Sequence, residues 1–245
     1  MSEKSALAAK ALRIHQLLLN YYGEPQLKPQ RDPLSELIMT ILSQNTADVN
    51  SHRAYQNLRQ RFPRWEDLLT ADIEKIAEAI HIGGLANVKA RRIQAILRQL
   101  YEEHGNLDLR FLADLPLEEA RRYLLSLAGV GPKTAACVLL FSLQRPVLPV
   151  DTHVHRVARR LGLIPPKASR EKAHLLLEEL LPPETYYPFH LNMIRHGRTL
   201  CKAGQPQCAR CPLAPECDFL NLSQTAAPAT GVSRISRPSS QSHPT

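Results

Sequence analysis

Two groups of residues stand where they could do chemistry. Cys201, Cys208, Cys211 and Cys217 are separated by six, two and five residues within one 17-residue stretch. Four thiolates in so short a stretch make a metal-ligand set. Tetrahedral zinc accepts an all-cysteine shell, and so does a four-iron cluster, so the donor chemistry leaves both open. A disulfide pair is the weaker third reading. The metal's first role would be structural, replacing a core that this small segment cannot build. The second group is the string Leu127-Ala128-Gly129-Val130-Gly131-Pro132-Lys133-Thr134-Ala135. Two glycines around one apolar residue let the chain turn sharply while Val130 plugs a helix junction. Pro132 suits the first position of a helix, where its missing N–H is not needed. The amides of Gly129, Val130 and Gly131 then lie at a helix start, where they can hold an anion such as a phosphate. The fifth cysteine, Cys137, follows in an Ala/Val/Leu run and reads as a small buried core residue.

The elements that must position these groups are helical. Residues 6–22 carry apolar side chains at Leu7, Ala11, Leu12, Ile14, Leu18 and Leu19, and Gly23 can end that helix. Asp32-Pro33 is an N-cap and first-turn pair, opening a helix with Leu34, Leu37, Ile38, Ile41 and Leu42 on one side. Further helices are expected over 48–62, 71–80, 87–104, 117–127, 132–143, 151–161, 169–181 and 185–200. No segment alternates strictly enough to be a strand, and 146–150, bounded by prolines, reads as a connector. Short loops make this an all-α protein. Residues 223–245 hold six Ser, three Pro and no aromatic or acidic residue, with Arg234 and Arg237 the two Lys or Arg there. Such a tail cannot bury a core and is expected to be disordered.

The 245 residues carry 31 Lys+Arg against 23 Asp+Glu, a net charge of +8. That excess suggests a polyanionic partner. A hydrophobic content of 44% is that of a globular chain. The longest apolar runs, such as 135–140, fall far short of the ~20 residues of a membrane helix. The N-terminus has no apolar signal core, so membrane and secretory classes are excluded and disulfides are not expected.

The glycine string resembles the helix–hairpin–helix motif of the base-excision DNA glycosylases. The match continues. Eighteen residues after Lys133 comes Asp151, in Pro149-Val150-Asp151-Thr152-His153-Val154-His155-Arg156-Val157. This resembles the family's V-D-T-H-x-x-R-V segment, which carries its catalytic aspartate. Gly84-Leu85-Ala86-Asn87-Val88-Lys89-Ala90 resembles a DNA-inserting loop of the same family, and His196-Gly197-Arg198 precedes the cysteines. The 6-2-5 spacing resembles the iron–sulfur loop of the endonuclease III branch, which turns the metal expectation to a [4Fe–4S] cluster.

The resemblance implies an all-α, two-lobed helix–hairpin–helix glycosylase fold. A helical barrel domain would span 33–149. An iron–sulfur cluster domain would combine 1–32 with 150–222, leaving 223–245 as the tail. It implies Lys133 as nucleophile at C1′ of the damaged nucleotide, a Schiff base, and β-elimination on the 3′ side. Lysine is nucleophilic only when neutral, and the positive end of its helix should help depress its pKa. Asp151 would sit at an N-cap, assist deprotonation of Lys133 and stabilise charge on the sugar. Adenine glycosylases of the family usually carry Ser at the position of Lys133 and have a further C-terminal domain, and some thymine-mismatch enzymes carry Tyr, so lysine implies a combined glycosylase and AP lyase. Leu85 is the expected apolar wedge. Gln44 and Asn45 are the expected polar plug, with Asn45 standing where many bacterial members have Gln. Lys202 and Arg210 are expected to meet phosphates, and Lys133, Lys202 and Arg210 to border one cleft. His153, His155 and His196 are expected in helix packing or phosphate contact. The implied partner is double-stranded DNA with damaged bases or abasic sites, bound by a monomer, in the cytoplasm at the nucleoid if the source is prokaryotic. The alternatives are a mismatch-type glycosylase of this fold and a non-catalytic DNA-binding module with structural zinc.

Overall fold

The computed structural model describes residues 2–26 and 31–225, and among them every regular element is helical. In chain order these are α1 (Glu3–Tyr22), α2 (Pro33–Ser43), α3 (Asp48–Arg61), α4 (Asp67–Thr70), α5 (Ile73–Ile80), α6 (Ala86–His104), α7 (Leu117–Ser126), α8 (Pro132–Phe141), α9 (Thr152–Arg160), α10 (Arg170–Glu178), α11 (Tyr186–Thr199) and α12 (Asp218–Thr225), joined by loops and short 3-10 turns. No described helix is long and apolar enough to cross a membrane.

Side-chain caps set several starts. Asp32 accepts from the Ser35 amide at 2.9 Å, Asp151 from Val154 at 2.8 Å and Ser169 from Lys172 at 3.2 Å. Gly105 ends α6 with φ +69°, and its N–H reaches Tyr101 O at 2.8 Å. The helix expected over 71–80 is shorter, because a separate turn, α4, precedes it. The last helix runs to Thr225, past 222; the expected tail from 226 onward lies outside the described residues.

The apolar stripes close around two cores. The first gathers Leu34 to Val147, with Ile41, Leu58, Ile80, Ile93 and Leu97 fully buried. The second gathers α1 and the chain from Leu148 to Cys217 around Ile14, Leu18, Val157, Phe189 and Met193. The chain crosses between cores through the non-helical stretch after α8. Arg121 on α7 pairs with Glu178 on α10 at 3.2 Å, with both side chains mostly removed from solvent. That pair fixes the register of the two cores more than it adds stability. Phe189 is fully buried between α1, α9 and α11. Phe189→Ala should destabilise the protein by about 3–5 kcal/mol, read as a lower urea midpoint at unchanged slope.

Candidate active site and cysteine centre

The turn between α7 and α8 presents Lys133. Gly129 has φ +72°, which favours glycine, and the Arg92 side chain lies close over it, with its Cδ 2.6 Å from where a Cβ would stand. Val130 is buried as a plug, and its N–H is committed to Leu127 O at 3.1 Å. The uncommitted amides of the hairpin are therefore those of Gly129 and Gly131, not that of Val130. Gln44 braces the same hairpin. Its amide donates to Thr134 Oγ1 at 3.3 Å and Gly129 O at 3.4 Å, while Arg92 donates to its Oε1 at 3.1 Å.

Lys133 and Asp151 line one cleft between the two cores, with Asn45, Arg170 and Arg198 on its walls. Asp48 of α3 and Arg198 of α11 pair across it at 2.6 Å. Asp151 uses Oδ1 for its cap and has no other bond among the described residues, so its second oxygen is open to the cleft. The expected depression of Lys133 is not found. The Cys137 sulfur, one turn on, holds the Lys133 ammonium above the ordinary lysine range, with Asp151 and Glu36 adding to the effect against the desolvation that opposes it. Burial pushes the Cys137 thiol up in turn, opposed by the Lys133 ammonium. Cys137 is buried as expected, but it also touches the site.

Asp151 is held by a connector with no regular structure, and sequence reasoning missed what pins it. Leu148 N–H donates to Glu178 Oε1 at 2.9 Å. His174 Nδ1 bonds Leu148 O at 2.9 Å and His190 Nδ1 bonds Pro149 O at 2.7 Å. Burial pushes both imidazoles down to about 4, so each is neutral and donates its one N–H to the connector. The available signal was a histidine on the apolar face of each of α10 and α11.

Two further loops flank the cleft. Asn45 is exposed with φ +52°, and Leu85 is 58% exposed with φ +51°. Of the two amides expected to face DNA, Gln44 is tied to the hairpin and Asn45 is free. Beneath the loops lies Lys89, fully buried.

The four cysteines border one small cavity beside α9 and α11, and none is in a disulfide. The sulfurs are not drawn into a finished coordination geometry: no three His, Cys, Asp or Glu among the described residues are arranged to hold a metal ion. Their chemistry nevertheless fits a thiolate-bound group. Burial pushes Cys211 up to about 11 and raises Cys217, each with the neighbouring cysteines contributing. A bound cation would reverse that cost and release the protons. Arg160 donates to Cys201 Sγ at 3.3 Å. His196 lies 3.5 Å from Cys211 Sγ and 3.1 Å from the Tyr22 hydroxyl, a place at the cysteine centre that its expected packing role did not include. His155 packs against Ala168 O at 2.8 Å, and His153 lies 3.2 Å from the Arg156 guanidinium. Lys202 and Arg210 are exposed on the cysteine loop and do not line the cleft, where Arg170 and Arg198 stand instead.

A lysine on a helix–hairpin–helix turn, facing a capping aspartate across a cleft between two helical cores, is the arrangement of the helix–hairpin–helix DNA glycosylases. Residues 38–183 match the model of the HhH-GPD superfamily of base excision DNA repair proteins, and the chain belongs to that superfamily. It is 35% identical to endonuclease III of Thermotoga maritima over 195 residues, covering 80% of this chain and 87% of that one. It is 34% identical to the DNA glycosylase/AP lyase ROS1 of Arabidopsis thaliana over 194 residues, or 72% of this chain and 14% of ROS1. The chain spans between 10% and 56% of the length of four curated plant relatives that it matches. Among solved structures, a non-covalent endonuclease III–DNA complex superposes with a TM-score of 0.76 at 28% identity, covering 92% of this chain and all of that one. A thermostable thymine-DNA glycosylase shares the fold, with a TM-score of 0.72 at 23% identity.

The neutral histidines give a pH signature. In the unfolded chain they take up protons near pH 6.5, whereas in the fold they do so only at about 4. Their contribution is complete above the unfolded value and is lost as pH falls through that window. The thermal midpoint should drop between pH 6.5 and 4, and replacing His174 and His190 together by Asn should make the drop shallower.

Proposed function

We propose that this protein is a DNA N-glycosylase and AP lyase that removes damaged bases, with oxidised pyrimidines as its substrates. The observation that carries the reading is that Lys133 and Asp151 come from separate cores and meet in one cleft beside the free amides of Gly129 and Gly131. A hairpin with a glycine on each side of a plug fits a phosphate, which positions the strand without reading its sequence. Extrusion of the target nucleotide into the cleft would leave a gap, for which Leu85 and Asn45 are the exposed wedge and plug.

The resting Lys133 is an ammonium, so chemistry starts with proton loss. The open oxygen of Asp151 is the acceptor in the cleft. The neutral amine attacks C1′ as the base leaves with its bonding electrons and takes the proton from Asp151, which restores the carboxylate; the attached nitrogen then loses a proton, and its lone pair opens the C1′–O4′ bond, with O4′ protonated, to give a protonated Schiff base. That cation acidifies C2′. Removal of a C2′ proton expels the 3′ phosphate and cuts the strand. The Asp151 carboxylate stabilises the positive charge that develops on the sugar. Domains at about 33–149 and at 1–32 with 150–222 would each hold most of one core, though Leu148 packs into the second, and the protein would act as a monomer. Cys201, Cys208, Cys211 and Cys217 would hold a [4Fe–4S] cluster, which would cross-link the chain after α11 and stiffen the loop carrying Lys202 and Arg210.

A duplex with one abasic site, treated with borohydride, should give a covalent complex through Lys133. Lys133→Ala should abolish it, and Asp151→Asn should slow it by roughly 10²–10⁴-fold. A wild type that traps nothing would end the lyase reading. A panel of single-lesion duplexes then separates oxidised pyrimidines from mismatched bases. Purified protein should contain about four irons and four sulfides per chain, and Cys208→Ser should lose them; a colourless zinc protein would replace the cluster by zinc.

A further inference from the structure

Lys89 lies on the buried stripe of α6 that continues through Ile93, Ile96, Leu97 and Leu100, and it is only 1% exposed. A lysine there must satisfy three donors without water. It does so on the last turn of α2 with the loop that follows it, and on the turn at 83. Its Nζ donates to Leu42 O at 2.7 Å and Thr46 Oγ1 at 2.7 Å on one side, and to Gly83 O at 2.8 Å on the other. The Thr46 hydroxyl itself donates to Gly83 O and closes the link. No carboxylate pairs with Lys89 among the described residues. Desolvation holds the ammonium down to about 8, still largely charged at neutral pH.

The two loops are those that carry Asn45 and Leu85. Both residues have positive φ, which costs energy for a residue with a Cβ and needs surroundings that hold it. Each lies within two residues of an acceptor of Lys89: Asn45 beside Thr46, and Leu85 two beyond Gly83. One turn further along α6, Arg92 bonds Gln44 and lies against Gly129 of the hairpin. One helix thus holds the plug loop, the wedge loop and the hairpin at fixed spacing.

We propose that Lys89 is a positioning residue for base extrusion: a buried ammonium that ties the 43–46 and 83–85 loops into one rigid unit, so that Asn45 and Leu85 enter the duplex together. It does not touch DNA. The inference rests on the wedge-and-plug reading above and adds its mechanical support. Without the tie, each loop must be ordered separately when DNA binds, and the cost falls on duplex penetration rather than on the reaction at Lys133.

The test compares borohydride trapping of one abasic site in a duplex and in the corresponding single strand, under single-turnover conditions. The single strand has no stack to open and no partner base to replace. Lys89→Met keeps the length of the side chain and removes its donors. It should lower the duplex rate at least tenfold and leave the single-strand rate within about twofold. Leu85→Ala should lower the duplex rate likewise, and the double variant should fall less than the product of the two, because both act on one step. Equal loss on both substrates, an unchanged duplex rate, or independent effects in the double variant would overturn the proposal. Should Lys89→Met fail to fold, Thr46→Val removes the central hydroxyl while leaving the lysine, and it must show the same duplex-selective loss. A wild type that traps neither substrate would refute the lyase reading instead, and the proposal with it.

Discussion

The chain can bring a lysine and an aspartate together only if the few residues between its two cores do not move. That stretch, 147–150, has no helix to pair its amides and carbonyls. It is buried, so its polar atoms cannot turn to water without cost. Three side chains from the second core take over: Glu178 accepts the Leu148 amide, His174 bonds the Leu148 carbonyl and His190 bonds the Pro149 carbonyl. The N-cap of α9 comes next in the chain, so these bonds set where Asp151 stands. Glu178 also receives Arg121 from the first core. The same carboxylate therefore aligns the lobes and holds the strand that joins them. A shift of the connector would therefore move Asp151 relative to Lys133 across the cleft that both line.

The charge at the site follows a different logic from the one a helix terminus suggests. The positive end of α8 would favour the neutral amine, whereas the Cys137 sulfur first, and then Asp151 and Glu36, favour the ammonium. A protonated Lys133 adds a positive charge to the cleft that Arg170 and Arg198 also line. Glu36 has its own pKa raised by burial, opposed chiefly by Arg31 and also by Lys133.

The helices and their caps were legible because they depend on local signals. Asp32-Pro33, Gly105 and the Gly129–Pro132 string carry their conformations in their residue types. The resemblance supplied the pairing of Lys133 with Asp151, which no local rule could. What escaped was long-range polar pairing. Lys89 reads as a surface residue in any window that does not follow the buried stripe of α6. His174 and His190 read as ordinary helix residues. Gln44 and Asn45 are adjacent, yet one is tied to a hairpin 85 residues away and the other is free. Their different fates are set by backbone geometry: φ is −61° at Gln44 and +52° at Asn45, which sends the two side chains in different directions.

The basic excess illustrates the same limit. A net charge of +8 invites the reading that cations line the nucleic-acid surface, and Lys133, Arg170 and Arg198 do line the cleft. Many of the others hold backbone carbonyls. Arg145 donates to Leu112, Ala113 and Leu115, Arg156 to Gly197 and Cys201, and Arg160 to Lys202 and Ala203. Lys89 does the same for the two loops. A protein with many loops that must stay rigid has many carbonyls left unpaired at helix ends, and planar or compact cations meet several at once. Each such cation raises the net charge while pointing inward. The charge count therefore adds together cations that line the cleft and cations that hold loop carbonyls, and the two are separated only by the hydrogen bonds each makes.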